Sequence, residues 1–339
     1  MTAPVSAPVS SEDAAEVKRM SLGAALNSAL DCALALDEKV ILLGEDIADP
    51  AGGVFKVTRG LSTKYGTRRV RATPIAEQAI VGASIGAALG GYRPVVEIMF
   101  FDFVAIAMDQ IVNHAAKLRY MSGGVTPVPI TIRTLVGNNR FGPQHAQQLE
   151  AWFMHTPGIK VVMPSTPTEA KGLLLSCIFD EDPCLFIEHS NLLFTQKDDV
   201  SLADYRIPLG SADLKRAGAD VSIITYGAEV HSSLAAAEIL SAEGIDAAVL
   251  DLRSLVPLDL PAILGSVGNT GRALVVHAAP TFGGPGAEIA ALITESLHSE
   301  LRAPVRRLGG ANVPVAFANE LEVAPTAQSI AAATRALCA

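Results

Sequence analysis

The stretch TPIAEQAIVGASIGAALGGYRPVVEIMFFDF, from Thr73 to Phe103, decides the fold of this chain. Its opening dipeptide, Thr73-Pro74, predicts a helix start, with threonine as the N-cap and proline at the first helical position. Gly90-Gly91 predicts the end of that helix. Val95 to Met99 then has the continuous apolar composition of a short buried strand. The stretch therefore predicts one helix that leads into one core strand.

The predicted helix carries a row of glycines on one face. Gly82, Gly86 and Gly90 recur at every fourth residue, which places them on the same side of the helix. A bare glycine face allows another backbone to approach closely, and each glycine weakens the helix by roughly 1 kcal/mol relative to alanine. We therefore expect another element or another chain to pack against this face.

Glu77 is the one acidic residue of this apolar helix. One interpretation is that its carboxylate only complements the positive end of the helix dipole. The other is that a carboxyl group among apolar residues handles a proton in a reaction. The local pattern is compatible with both interpretations, so the rest of the chain has to decide between them.

The composition of the 339 residues indicates a globular chain with an acidic surface, since 50% are hydrophobic and the net charge is -9. No basic run exceeds two residues, and no segment has about 18 uninterrupted apolar residues. We therefore expect neither a nucleic-acid partner nor a membrane partner. The cysteines lack metal-type spacing, which favours a reducing, cytoplasmic location.

Strands and helices alternate along the chain, which predicts an α/β fold of two domains with mostly parallel sheets. Residues 1–18 are rich in alanine, proline, serine and valine, and they predict a flexible tail. The first domain is expected over residues 19–200 and the second over residues 219–339. Residues 201–218 lack a clear period and contain proline and glycine, so they predict a linker.

Three helices are predicted in the first domain, and the first of them also has a candidate cap. Ser21 to Leu36 reads as an amphipathic helix with Ser21 as its cap. Thr166 to Ile178 reads as a second helix. Phe55 to Tyr65 predicts a short helix with a basic face.

Two further polar residues follow predicted strands. Glu45 lies just beyond the strand Val40–Leu43, at the carboxyl end where open α/β sheets place ligands, although a solvated loop explains it equally well. His145 follows the turn-rich loop that comes after the strand Pro129–Thr134. A histidine there is better placed for chemistry than one inside a helix, while a structural role stays open.

These residues belong to longer motifs. In these motifs the chain resembles the beta subunit of 2-oxo acid dehydrogenases of the pyruvate and acetoin kind. That subunit is part of the thiamine-diphosphate-dependent component that decarboxylates the 2-oxo acid. The resemblance runs from about Ser21 to the C-terminus. It implies a pyrimidine-binding domain followed by a C-terminal domain of the transketolase type. It rests on five stretches in the family's order: VILLGEDIADPAGGVFKVTRGLSTKYG, TPIAEQAIVGASIGAALGGYRPVVEIMFFDF, DQIVNHAAKLRYMSGG, PQHAQQLEAWFMHTPGIKVVMPSTPTEAKGLLLSCIFDEDP and LVVHAAPTFGGPGAEIA.

The resemblance implies a role for each candidate residue. Glu77 matches the glutamate that bonds N1′ of the cofactor's aminopyrimidine and thereby activates the thiazolium carbon. Met99 and Phe103 match residues that pack against the aminopyrimidine, although plain core residues would look the same. His145 matches a histidine on the substrate side that assists acyl transfer to a lipoyl group. Glu45 matches an acid between two active sites that is proposed to relay protons.

The resemblance also implies metal ions and a partner subunit. Main-chain oxygens hold a structural potassium ion at the positions that match Ile130, Cys177, Asp180 and Asp182. The family binds Mg2+ and the diphosphate through a Gly-Asp-Gly motif, which this chain lacks. The diphosphate half of the site is therefore expected from an alpha subunit, in an α2β2 tetramer, and that subunit would also cover the glycine face.

Three departures from the family's pattern keep alternatives open. Ala146 stands where serine is frequent, Ala278 stands where an acid is frequent, and Leu135-Val-Gly-Asn-Asn replaces a glycine-rich loop. The main hypothesis is oxidative decarboxylation of a small 2-oxo acid with acyl transfer to a lipoyl acyltransferase component. The alternatives are the same heteromer transferring an acyl or ketol group to another acyl carrier in specialised metabolism, and a non-catalytic assembly subunit.

Overall fold

A computed structural model describes residues 16–137, 141–318 and 323–339. It confirms the predicted α/β class, with two mostly parallel sheets. The strands are β1 Val17–Ser21, β2 Val40–Glu45, β3 Val70–Thr73, β4 Arg93–Ile98, β5 Thr131–Val136, β6 Lys160–Val162, β7 Cys184–His189, β8 Lys197–Ser201, β9 Asp213–Arg216, β10 Val221–Thr225, β11 Ala247–Asp251, β12 Ser254–Val256, β13 Ala273–Pro280 and β14 Arg306–Gly310.

The helices cover both faces of the sheets. They are α1 Leu22–Leu36, α2 Leu61–Tyr65, α3 Glu77–Leu89, α4 Phe101–Val104, α5 Ala116–Met121, α6 Glu150–Met154, α7 Pro167–Ile178, α8 Ser190–Thr195, α9 Glu229–Ser241, α10 Leu260–Thr270, α11 Gly286–Leu297 and α12 Ala327–Cys338. A 3-10 turn and a π-helical turn, Gln110–Ala115, connect α4 to α5. Among the described residues no helix is both long enough and apolar enough to cross a membrane.

The first sheet has the strand order β12-β6-β7-β5-β4-β2-β3, and all of its pairs are parallel except β12 with β6. Its central strands β5 and β7 are buried along their whole length, as expected for a parallel sheet covered by helices on both faces. Strand β12 comes from the second half of the chain. The two halves are therefore joined by a strand pair as well as by packed side chains.

The second sheet has the order β14-β13-β10-β11-β9, and only β9 runs antiparallel to its neighbour. Strand β9 lies inside residues 201–218, so this part of the predicted linker pairs with the second sheet. Strands β1 and β8 form a separate antiparallel ribbon that joins the start of the first domain to its end. The exact domain limits stay a prediction.

The start of α3 differs from the prediction. The helix begins at Glu77, its N-cap is Ala76, and no side chain caps it. Thr73 is instead the last residue of β3, where it pairs with Glu45 of β2, so Thr73-Pro74 is not the predicted helix start. The predicted end is confirmed, because Gly90 is the C-cap and Gly91 has a φ of +88°, which suits glycine.

The glycine face of α3 is only partly covered within this chain. A Cβ atom on Gly82 would lie 3.2 Å from the side-chain oxygen of Gln110, so this part of the face packs against the helical turns after α4. A Cβ atom on Gly86 would meet no atom of the described residues within 4 Å. The expected packing partner is therefore found for Gly82 and not for Gly86.

The segment from Phe55 to Tyr65 is helical only in its last five residues. Lys56 and Gly60 adopt positive φ angles of 64° and 85°, which interrupt a helix at its start. The prediction of a helix over the whole segment is therefore wrong. The predicted cap of the first helix is confirmed, because the side chain of Ser21 accepts from the backbone N–H of Ala24. The helix predicted over Thr166 to Ile178 is confirmed as α7, and the structure shows that Thr166 caps it.

Candidate active site

Two carboxyl groups meet at the carboxyl end of strand β2. Glu45 is the last residue of β2 and is 7% exposed, while Glu77 is the first residue of α3 and is 5% exposed. The backbone N–H of Ala76, which directly precedes Glu77, donates to the Glu45 carboxylate. The strand end and the helix start therefore hold the two predicted acids beside each other.

Glu45 lies in surroundings that disfavour its charged form. Burial, followed by the negative charges of Glu77 and Asp46, raises the pKa of Glu45 above its ordinary value, and the Ala76 N–H only partly opposes this. One carboxyl oxygen of Glu45, Oε1, is buried without a hydrogen-bond partner among the described residues. A neutral Glu45 can therefore hold a proton close to Glu77.

The Glu77 carboxyl group also lacks a partner. Within the described part of the chain no donor or cation bonds to its side chain, although the residue is almost fully buried. Its carboxyl oxygens are not among the fully buried atoms without partners, so they remain accessible to a ligand. These surroundings fit a group that would bond the aminopyrimidine of thiamine diphosphate.

The His145 ring lies inside a group of phenylalanines that follows strand β4. Its centroid is 4.8 Å from that of Phe100, 5.3 Å from that of Phe103 and 6.2 Å from that of Phe141, all at steep angles. Its Nδ1 atom is buried without a hydrogen-bond partner among the described residues. The structure thus places a histidine with an unsatisfied ring nitrogen against Phe103, one of the predicted cofactor contacts.

Residues 141–149, which we call the His145 segment, contain no helix or strand. Asp102 of α4 holds the segment, because its Oδ1 atom accepts hydrogen bonds from the backbone and the side chain of Gln147, at 3.3 and 2.7 Å. Asp102 lies in the chain between two aromatic residues, Phe101 and Phe103. The same short helix therefore fixes the segment and supplies an aromatic neighbour of the His145 ring.

The other predicted cofactor contact, Met99, lies between β4 and α4. Met99 and Phe103 are half-buried, and both pack against the core of the first domain. Half-buried apolar side chains at the carboxyl end of a central strand can form one wall of a ligand site. Their position is compatible with packing against an aminopyrimidine ring.

Two of the departures from the family's pattern line one cavity. Ala146 and Ala278 both face a space of about 490 Å³ between the His145 segment and the second domain. Gln144 and Gln147 line the same space. Two of the alanines that distinguish this chain thus share one cavity beside the His145 segment.

The four residues predicted to hold potassium lie together at the amino-terminal ends of β5 and β7, and we call this region the cation corner. Cys184 links three of them: its N–H donates to the carbonyl oxygen of Ile130 at 2.9 Å, and its thiol contacts the carbonyl oxygen of Asp182 and the thiol of Cys177. The carbonyl oxygen of Asp180, the fourth, accepts from Arg93 at 2.9 Å. The structure therefore brings all four predicted residues to one place.

The carboxylates of the cation corner are already paired with cations of the chain. Lys160 donates to Asp180 at 2.6 Å, and Arg119 donates to Asp182 at 2.6 Å. Burial works against the charged form of Lys160, yet its bond to Asp180 keeps its pKa above the ordinary value. Since a carbonyl oxygen has two lone pairs, the main-chain oxygens that accept one hydrogen bond here still fit a potassium ion.

Sequence reasoning missed a buried charged triad in the first sheet. Arg133 of β5 donates to Glu188 at 2.7 Å and to Glu97 at 2.8 Å, and the arginine is fully buried between them. Each of these charged residues lies within a mostly buried strand, and this is the signal that could have revealed them. Such a triad fixes the register of three neighbouring strands below the predicted site.

Comparisons with protein-family models match both halves of the chain. Residues 18–195 match the model described as "Transketolase, pyrimidine binding domain". Residues 210–330 match the model described as "Transketolase, C-terminal domain". The two matches together cover most of the chain, and the first includes Glu45, Glu77 and His145.

Similar curated proteins are beta subunits of three kinds. The acetoin:2,6-dichlorophenolindophenol oxidoreductase subunit beta of Cupriavidus necator is 44% identical over 330 residues, which cover 94% of this chain and 97% of that protein. The pyruvate dehydrogenase E1 component subunit beta of Bacillus subtilis is 45% identical, over 88% of this chain and 92% of that protein. The 2-oxoisovalerate dehydrogenase subunit beta of Bacillus subtilis is also 45% identical, over 87% and 90%.

A solved structure supports the fold. The chain matches a structure titled "Split gene transketolase, inactive beta4 tetramer" with a TM-score of 0.77 and 23% identity. The match covers 94% of this chain and 98% of the other. The arrangement of two α/β domains is therefore shared with a transketolase half.

Proposed function

The chain belongs to the family of beta subunits of thiamine-diphosphate-dependent 2-oxo acid dehydrogenases, and we propose that it supplies the aminopyrimidine half of a decarboxylating active site. Membership confirms the resemblance found in the sequence, the prediction of an oxidoreductase subunit and thiamine diphosphate as the family's cofactor. The names of these relatives refer to acetoin, pyruvate and 2-oxoisovalerate. We propose a small 2-oxo acid or acetoin as the substrate, in the cytoplasm.

One observation carries the proposal of a shared site. The His145 ring lies 5.3 Å from the Phe103 ring, although the family resemblance assigns one to the substrate and the other to the cofactor. The two residues are far apart in the chain, so their contact is not a consequence of the sequence motifs. This contact supports a single site at the carboxyl ends of β2 and β4.

The roles of the chain's own residues follow from this arrangement. When bound, thiamine diphosphate supplies the nucleophilic carbon and the electron sink for decarboxylation. Glu77 would hold N1′ of the aminopyrimidine and share a proton with it, and Met99 and Phe103 would pack against that ring. His145 would give a proton to the acceptor during acyl transfer. Glu45, whose pKa is raised by burial and by the nearby Glu77, would relay protons towards a second site.

We propose an alpha subunit as the partner that completes the site. The chain has no Gly-Asp-Gly motif, so the alpha subunit would hold Mg2+ and the diphosphate, in an α2β2 tetramer. The uncovered surface at Gly86 is compatible with a second chain against α3. A lipoyl acyltransferase component is the proposed acyl acceptor.

Potassium is proposed as a structural ion at the cation corner. Its ligands would be the main-chain oxygens of Ile130, Cys177, Asp180 and Asp182. A crystal of the protein soaked in a thallium salt should show an anomalous peak within coordination distance of these oxygens. A crystal without such a peak would contradict the site.

The function is tested with the chain purified together with its alpha subunit. The heteromer is assayed against short and branched 2-oxo acids and acetoin, with a dye as electron acceptor. We expect dye reduction with one of these substrates and a loss of about 100-fold or more in Glu77→Gln, since the amide cannot transfer the proton. A residual activity within about threefold of wild type would contradict the role of Glu77.

Glu288→Gln is the matched control for this experiment. Glu288 is an exposed acid in the first turn of α11, so it shares with Glu77 the favourable interaction with a helix dipole. We expect wild-type activity in Glu288→Gln. An equal loss in both variants would favour a role of Glu77 in helix stability over proton transfer.

A further inference from the structure

Three buried polar side chains join the two domains next to the His145 segment. Glu150 is the first residue of α6, Tyr226 directly follows β10, and Glu229 is the first residue of α9. The Tyr226 hydroxyl donates a 2.8 Å hydrogen bond to Oε1 of Glu150, and Tyr226 and Glu150 are both almost completely buried. The ring of His277 stacks on that of Tyr226, with centroids 6.5 Å apart.

No cation compensates this cluster within the part of the chain that the structure describes. Oε2 of Glu150 and Oε2 of Glu229 are buried without a hydrogen-bond partner. Burial, assisted by the neighbouring Glu150, raises the pKa of Glu229 to about 8, and burial also raises the pKa of Glu150. Among the described residues Tyr226 is therefore the one side chain that donates to Glu150, and its loss would leave this buried acid with only a backbone donor.

The position of Glu150 matters because it directly follows the His145 segment. That segment has no regular structure, so side-chain contacts decide where it lies. Asp102 holds it at Gln147 from within the first domain. Tyr226 holds its end at Glu150 from the second domain. The catalytic histidine of the proposed function thus lies on a segment that is fixed from both domains.

We propose that Tyr226 is a positioning residue for His145, and that its hydrogen bond to Glu150 lets the second domain hold the His145 segment against the phenylalanine rings. This inference rests on the proposed role of His145 in acyl transfer. Tyr226 acts only through the His145 segment. Its loss should therefore slow acyl transfer and leave the proton transfer at Glu77 intact.

The test uses Tyr226→Phe in the heteromer with the alpha subunit, because this variant removes one hydroxyl and preserves the ring. We expect kcat for acylation of a free lipoyl domain to fall about tenfold, with KM unchanged, since a small misplacement of a catalytic group slows its step. Decarboxylation with a dye acceptor should stay within about twofold of wild type. Unchanged acylation, or an equal loss in both assays, would overturn the proposal.

A double-mutant cycle separates an effect through His145 from an independent one. In the His145→Ala background, Tyr226→Phe should cause no further loss of acylation, because the residue that Tyr226 positions is absent. Multiplicative losses would overturn the proposal.

Glu150→Gln keeps an acceptor for the Tyr226 hydroxyl and should retain acylation. A loss equal to that of Tyr226→Phe would contradict the hydrogen bond as the cause.

Tyr205→Phe is the matched control. Its side chain is partly buried, and its hydroxyl also donates a 2.7 Å hydrogen bond, but to the backbone oxygen of Thr168 in α7 and not to the His145 segment. We expect both activities to remain at the wild-type level in Tyr205→Phe. A loss of acylation in this variant similar to that in Tyr226→Phe would show that any buried tyrosine hydroxyl has this effect, and would overturn the proposal.

The rate of chemical modification of His145, which does not depend on enzyme activity, distinguishes failure of this inference from failure of the proposed function. Diethyl pyrocarbonate modifies accessible imidazoles, and mass spectrometry gives the rate at each histidine. We expect Tyr226→Phe to raise the rate at His145 several-fold and to leave the exposed His155 unchanged. If His145→Ala kept full acyl transfer, the proposed function would fail, while an unchanged modification rate at His145 would overturn the positioning role.

Discussion

The proposed catalytic residues and the cation corner lie at opposite ends of the strands of one mostly parallel sheet. The two regions differ in whether their polar side chains have partners within the chain. At the carboxyl end, Oε1 of Glu45 and Nδ1 of His145 are buried without partners among the described residues. At the amino-terminal end, the carboxylates of Asp180 and Asp182 bond to Lys160 and Arg119. Buried polar atoms without hydrogen-bond partners thus lie at one end of the sheet, and paired carboxylates lie at the other.

This difference separates function from stability. A buried polar atom without a partner costs about 1–3 kcal/mol, so it persists where a ligand, a partner subunit or a reaction uses it. Ligands of open α/β sheets bind at the carboxyl ends of strands. In this sheet, that is the end where the buried polar atoms lack partners. We therefore expect substitutions at this end to change activity more than stability, and substitutions at the cation corner to do the reverse.

The largest effect is expected from His145→Ala in the heteromer. Imidazole exchanges protons near neutral pH, so its removal should slow acylation of a lipoyl domain by about 100-fold or more. Decarboxylation with a dye acceptor should be nearly unchanged, since the role proposed for Glu77 lies on the other side of the cofactor. The measurement is mass spectrometry of the lipoyl domain beside the dye assay, with the melting temperature as a check of folding.

The exposed His155 gives the control for this prediction. It is the C-cap of α6, ten residues beyond His145, and His155→Ala should leave both assays unchanged. Equal loss of both activities in His145→Ala would indicate a damaged site. Full activity would make His145 a structural histidine.

A smaller effect, on stability, is expected from Lys160→Met at the cation corner. The Lys160–Asp180 bond is short and mostly shielded, and its loss leaves two acids with fewer cations. We expect the free energy of unfolding in urea to fall by about 1–3 kcal/mol. Lys64→Met is the control, because Lys64 bonds Asp31 at the same 2.6 Å on the surface and should cost less than about 1 kcal/mol.

Equal losses in these two lysine variants would remove the distinction between a shielded and an exposed ion pair. A loss of decarboxylation in Lys160→Met at unchanged stability would also contradict the comparison, since the corner would then take part in the reaction. The free energy and the dye assay are therefore measured on the same preparations.

The sequence predicts the elements whose signals are local. Ser21 caps its helix as expected, because a cap is formed by residues three positions apart. Thr73 has the same local signal, but its backbone pairs with β2, and strand pairing with a distant segment overrides the cap. Phe55 to Tyr65 fails as a helix for another reason, since Lys56 and Gly60 adopt backbone angles that its apolar pattern does not reveal.

The candidate site shows the same limit. The motifs predict Glu77 and His145. They do not predict that the rings of Phe100 and Phe141 surround His145, or that the hydroxyl of Tyr226 donates to Glu150. Apart from the contact of Phe141 with His145, these contacts join residues that are distant in the chain, and apolar or aromatic residues have no pattern that distinguishes a site wall from a core. Long-range packing therefore has to come from the structure.

The smallest effect is expected from Glu45→Gln, measured as a change of stability with pH. Because the pKa of Glu45 is raised in the folded chain, the fold holds this proton more tightly than the unfolded chain does, whose glutamate has the ordinary value of 4.5. The stabilisation is fully present below pH 4.5 and is lost as the pH rises through the raised value. Glutamine is neutral at every pH, so Glu45→Gln should be more stable relative to wild type at about pH 8 than at about pH 5. Urea unfolding at both pH values measures this gain, and Glu38→Gln, an exposed acid before the same strand, should show none. An equal pH dependence in wild type and Glu45→Gln would mean that Glu45 is charged in the fold, and the proton relay assigned to it would lose its physical basis.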